Sequence, residues 1–176
     1  MRIHVAKGLV VGLMVVGIGV ALDAQRQRAS PHEKTEATID GARLSVEYGR
    51  PSAKGRQIFG GLVPFGKVWR TGADEATSFV TDKALMFGTL EVPAGAYTLF
   101  TIPGEKEWTL VVNKQTGQWG TQYVEAQDLA RVPMKRGATA AAVEQLTIGL
   151  VDTPAGGTLK VEWADTNATA DFVVKK

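Results

Sequence analysis

The sequence predicts an all-β fold, an antiparallel β-sandwich with a jelly-roll-like arrangement as one form of it and very little helix. Three observations carry this. Apolar and polar residues alternate from about residue 42 to the end, the period of a strand with one buried face. Turn signals rich in Pro and Gly interrupt that alternation at short intervals. Helical periodicity is nearly missing, being confined to Tyr123–Ala130 and Thr139–Glu144, each good for a turn or two.

In chain order, the first clear strand holds Leu44, Val46 and Tyr48 on one side and Ser45 and Glu47 on the other. Strands follow at Thr77–Thr81, Lys83–Phe87, Thr89–Val92 and Tyr97–Ile102. Lys106–Asn113 buries Trp108, Leu110 and Val112, while Leu146, Ile148 and Leu150 form a further set. Leu159, Val161 and Trp163 face inward with Lys160 and Glu162 outside, and Thr169–Val174 is the last strand. Pro93-Ala94-Gly95 and Pro154-Ala155-Gly156 each put a preset φ two residues before a glycine, and both read as hairpin turns. Eight or more short strands, with turns about every 8 to 12 residues, is the signature of a sandwich or barrel.

The chain starts with Arg2 and Lys7, then an uncharged run from Gly8 to Leu22 and small residues at Ala21 and Ala24. That is the pattern of a secretory signal peptide over residues 1–24, and the run is short against the roughly 20 residues a membrane span needs. No stable membrane insertion is expected after cleavage. Residues 25–35 are polar and read as a flexible arm carrying His32, the only histidine beyond the leader, expected to be solvated. Residues 36–176 are then one β-sandwich domain, large enough for a single core. The chain has no cysteine, so no disulfide braces an exported domain, which is expected in the periplasm or outside the cell. The formal charge of +2 includes Arg2, Lys7 and Asp23 of the leader, so the remainder is close to neutral and carries no footprint for nucleic acid.

The block from Tyr48 to Phe79 crowds Arg50, Arg56, Arg70, Asp74, Glu75, Tyr48 and Trp69 onto loops rich in Gly and Pro. Three guanidinium groups could converge on one carboxylate, phosphate or sulfate, or each could tie its own loop to a carbonyl or acid. Asp74 and Glu75 are adjacent, and in an extended strand they point apart, which argues against a paired acid and base. A hydrolase would need Glu75 and a distant acid such as Glu47. A nucleophilic triad lacks its parts, and one histidine without thiolates cannot build a tetrahedral zinc site, so neither metal nor cofactor is expected. Trp108, Trp163 and Tyr48 are in phase with aliphatic strand residues and read as core. Trp69 and Trp119 are the aromatics less committed to it.

The phrases Tyr48 to Gly61, Val68-Trp69-Arg70-Thr71-Gly72, Pro93-Ala94-Gly95-Ala96-Tyr97, Ile102 to Trp108 and Trp119-Gly120 resemble the bacterial domain-of-unknown-function 2911 family, from about Ser30 to the end. The resemblance implies an exported protein with no activity to carry over. That family often has Asn at the position of Asp74, which implies a dispensable carboxylate there, whereas Arg70 and Glu75 match. The expected function is binding of a small polar or anionic ligand or a saccharide through Tyr48, Arg50, Arg56, Trp69, Arg70, Glu75 and Trp119. The alternatives are a cell-envelope hydrolase and a protein–protein interaction module that pairs through an edge strand. The oligomeric state is not written in the sequence.

Overall fold

The computed structural model describes residues 28–176, and the predicted signal peptide and the first residues of the arm lie outside the described residues. The chain is all-β. Among the described residues, nine antiparallel strands, β1 His32–Ile39, β2 Ala42–Gly49, β3 Thr77–Thr81, β4 Leu85–Phe87, β5 Leu90–Val92, β6 Gly95–Ile102, β7 Glu107–Asn113, β8 Asp128–Thr153 and β9 Gly156–Val174, form one sheet. Its order is β1-β2-β3-β6-β7-β8-β9-β4-β5.

β1 begins inside the segment expected to be a flexible arm. Its sequence, His-Glu-Lys-Thr-Glu-Ala-Thr-Ile, buries only Ile39 fully, so no alternation announces it. The signal that does is Asp40-Gly41, where φ of +48° and +74° make the tight turn whose twist matches two paired strands. In β2, Leu44, Val46 and Tyr48 are buried as the alternation predicts. Glu33, Lys34, Glu36 and Thr38 put polar side chains along β1, an outer strand of the sheet, where charge discourages pairing with other chains.

β8 and β9 are much longer than ordinary strands because they change partners along their length. The first part of β8 pairs with β7, from Glu107↔Lys135 to Asn113↔Asp128. Its pairing with β9 then shifts register between Ala138 and Val143 and again before Thr147. Beyond the break, β8 lies against the start of the sheet: the Thr35 hydroxyl donates to the Ile148 carbonyl (2.8 Å), and the Ile148 amide donates to the Tyr48 hydroxyl (2.9 Å). The sheet therefore curls until its first and sixth strands touch, and the apolar faces of β2, β7, β8 and β9 enclose one core.

Phe59, Trp69, Trp108 and Trp163 pack at the centre of that core. Trp69 stacks on Trp163 with centroids 5.9 Å apart and planes 15° apart, while Phe59 meets Trp108 edge-on at 4.6 Å. On the opposite face of β6 and β7, Phe100 and Val111 are covered by the segment after β7, where Tyr123 packs edge-on against Phe100 at 4.9 Å.

Two expectations are corrected. Thr139–Glu144 is strand within β8, where the run Thr-Ala-Ala-Ala looked helical because helix propensity is a weak prior against pairing. Pro93-Ala94-Gly95 is not a hairpin turn. It joins β5 to β6, which sit at distant places in the sheet, whereas Pro154-Ala155-Gly156 does close the β8–β9 hairpin. Of the two expected helical turns, only Glu125–Gln127 forms, as a short 3-10 turn.

The bond between Tyr48 and Ile148 is buried and crosses the closure. Tyr48→Phe keeps the ring and orphans the amide, so urea unfolding should show a loss of about 1–3 kcal/mol.

Candidate functional site

The loop Trp69–Glu75 is fixed at both ends. Trp69 and Thr101 exchange both backbone hydrogen bonds, at 2.7 and 2.9 Å, and Glu75 forms a single antiparallel bridge with Trp119. Between them, the Thr77 hydroxyl lies 3.0 Å from the carbonyls of Arg70 and Thr71, and Thr71 is fully buried. Thr71 and Asp74 adopt φ of +53° and +63°, so this stretch is not the extended strand that would separate Asp74 from Glu75.

Both carboxyl groups instead face the N-terminal segment. Asp74, nearly buried, accepts the amides of Ala29 and Ser30 at 3.0–3.1 Å. An asparagine tolerates a positive φ and could accept such bonds through Oδ1, so Asp74 anchors chain rather than offering an acid. Glu75 Oε1 accepts from Arg28 Nε at 2.8 Å. Its Oε2 lies 3.1 Å from His32 Nε2, which is also 3.9 Å from Asp74 Oδ2. His32 is thus a half-buried neighbour of two carboxylates, not a solvated arm residue. Among the described residues, no three His, Asp or Glu side chains are grouped to hold a metal ion.

The seven residues singled out from the sequence separate. Tyr48 is core, with its hydroxyl accepting from Ile148. Arg50 is a brace: Nε donates to the Leu146 carbonyl (2.9 Å), one terminal nitrogen to Thr147 Oγ1 (3.1 Å), and the other pairs with Glu33. Arg56 is exposed and binds the carbonyls of Ala53 and Ser52 in its own loop, at 3.0 and 2.6 Å. Trp69 and Arg70 meet in a cleft of about 430 Å³ with Val68, Phe100, Gly120, Thr121 and Tyr123. Glu75 and Trp119 do not line that cleft and are paired through their backbones. The three arginines do not line a common cleft.

Arg70 owes its course to Gly120. A Cβ there would stand 2.2 Å from Arg70 Cδ and 2.8 Å from the Asp74 carbonyl, so only glycine lets the side chain pass. Arg70 Nε donates to the Gly72 carbonyl at 3.2 Å, and no hydrogen bond among the described residues reaches its terminal nitrogens. Tyr123 forms part of the facing wall. Its hydroxyl donates to Asp128 Oδ2 at 2.7 Å and accepts from Arg131 at 3.0 Å. Burial first and Asp128 second push its pKa to about 12, so it stays protonated and fixed. Tyr123, Arg136 and His32 were not singled out as site residues. The sequence offered no signal for Arg136, which follows Lys135 in β8 and lines a second cleft beside Arg56.

These elements define a single-sheet β domain with loop-built clefts. The match to a family model places it further: residues 30–172 match the family described as protein of unknown function (DUF2911), and the chain belongs to that family. No curated protein and no solved structure matches it.

Two predictions test this placement. In urea, Arg50→Ala should lose about 2 kcal/mol through its charged hydrogen bonds, and Arg56→Ala less than about 1. At Glu75, burial raises the pKa, but the Arg28 bond and the charges of Arg28 and His32 outweigh it and hold the carboxyl below its ordinary value. A depressed carboxyl stabilises the fold above its unfolded pKa and loses that contribution as pH falls through the folded value. Stability should therefore decline from about pH 5 downward, more steeply than in Glu75→Gln.

Proposed function

We propose that this protein is an exported binding module for a small organic anion, taken by Arg70 in the cleft walled by Trp69, Phe100, Thr121 and Tyr123. The observation that carries the reading is Arg70's guanidinium. It is half-buried, anchored only through Nε, and keeps both terminal nitrogens unengaged among the described residues beside aromatic walls. A guanidinium fork binds a carboxylate or similar oxyanion through two parallel bonds, and aromatic walls take the flat or apolar body of the ligand or a sugar ring. A cleft of this size falls within the range that encloses a small ligand. Export rests on the Met1–Ala24 pattern. Glu75, the carboxylate a hydrolase would require, is already engaged by Arg28 and His32.

Thermal unfolding with millimolar benzoate or succinate should show a saturable rise in Tm for at least one of them, lost in Arg70→Gln. No rise with any, or an equal rise in Arg70→Gln, rejects the reading.

A further inference from the structure

We propose a second binding site, independent of Arg70, in the cleft of about 470 Å³ where the Ala53–Phe59 loop meets the break in the β8–β9 hairpin. Its ligand is an oxyanion on a hydroxylated body, of the sugar-phosphate or sugar-acid kind.

Two cations, Arg56 and Arg136, and two acids, Glu144 and Asp165, line this cleft. Among the described residues, neither arginine forms a salt bridge with either acid. Neutral groups hold each of them instead. Arg56 binds the carbonyls of Ala53 and Ser52, and Arg136 reaches only the Thr166 hydroxyl, at 3.4 Å. Glu144 Oε1 accepts from the Lys54 amide at 2.9 Å, and Asp165 Oδ1 accepts from the Thr166 hydroxyl at 3.0 Å. Neutral partners orient a charged group without cancelling its charge, which stays available to a ligand.

The backbone gathers these groups at one place. The register break opposes β8 residues 139–142 to a single residue of β9, Asp165, so the ladder opens here. Ala164 is held at φ +53°, and Lys54 and Gly55 turn the facing loop at +49° and +67°. Left-handed backbone at non-glycine residues is the kind of strain that concentrates at binding sites. Beneath lie the buried Ile58 and Phe59, an apolar floor between the charged walls.

Each class of group has its task. The two guanidiniums take the oxyanion, the free oxygens of Glu144 and Asp165 accept from hydroxyls, and the floor covers the carbon skeleton. A bare anion gains nothing from the acids, and a neutral sugar forgoes the charge-assisted bonds the arginines make to an oxyanion.

The test titrates glucose 6-phosphate, glucuronate, glucose and inorganic phosphate into the purified protein, with thermal unfolding and calorimetry as readouts. Saturable binding of glucose 6-phosphate, of glucuronate or of both is expected, tighter than that of glucose or phosphate; which acid binds tells whether phosphate or carboxylate is preferred. Arg136→Gln, whose one long bond to Thr166 leaves the fold unburdened, should weaken binding about tenfold or more with the unliganded Tm unchanged. Arg56→Gln should weaken it as well, and Arg70→Gln should leave it intact, which separates this site from the first. Absence of saturable binding by either acid, equal binding of glucose or phosphate, or an affinity unmoved by Arg136→Gln overturns the proposal. Loss of binding in Arg70→Gln alone does so too.

Discussion

The closure of this protein hangs on a failure of pairing. If β8 and β9 kept one register throughout, they would make a long, smoothly twisted ribbon standing away from the rest of the sheet. The shift between Ala138 and Thr147 bends that ribbon, and its far half comes down on β1 and β2. Tyr48 and Arg50 at the end of β2 then reach Ile148, Leu146 and Thr147. The indole of Trp163 donates to the Glu144 carbonyl at 3.2 Å just where the ladder is interrupted. The central aromatic cluster can be enclosed only because the ribbon turns back over it.

The loops between β2 and β3 inherit their positions from that closure. The Ala53 amide donates to the Glu144 carbonyl and the Leu146 amide to the Pro51 carbonyl, so the loop around Arg56 is stitched to the bend itself. Further along, Trp69 joins the end of β6, and Asp74 captures the amides before β1. The block of charge and glycine that stands out in the sequence is therefore divided among several duties. One arginine braces the closure, one holds its loop beside the bend, and one lies across a glycine in an aromatic cleft.

How far the sequence disclosed this depended on the range of the interaction. Local alternation placed Leu44, Val46, Tyr48, Trp108, Leu110 and Trp163 on buried faces, because a strand's inner side must be apolar whatever it packs against. β1 stayed hidden because an edge strand needs little apolar surface, and its Asp-Gly turn was the one usable trace. The central stretch of β8 resembled helix because alanines satisfy either pattern until a partner strand decides. At the candidate site, residue types were legible and their company was not. Nothing local tells that Arg136 lies beside Arg56, that His32 meets Glu75, or that Arg70 faces Tyr123, since each pair is brought together by pairings distant in sequence.

The place of β4 has a consequence for how the chain must assemble. Leu85 and Met86 find their partners in Val174 and Val173, so a hairpin made early has no neighbour until the final strand arrives. Contacts between positions so far apart close large loops, and folding dominated by them is slow. The middle of the chain can settle among its nearest neighbours, but the outer β4–β5 hairpin must wait for the last residues of β9. A chain that appears from its N-terminus onward therefore cannot complete this sheet until its tail has followed.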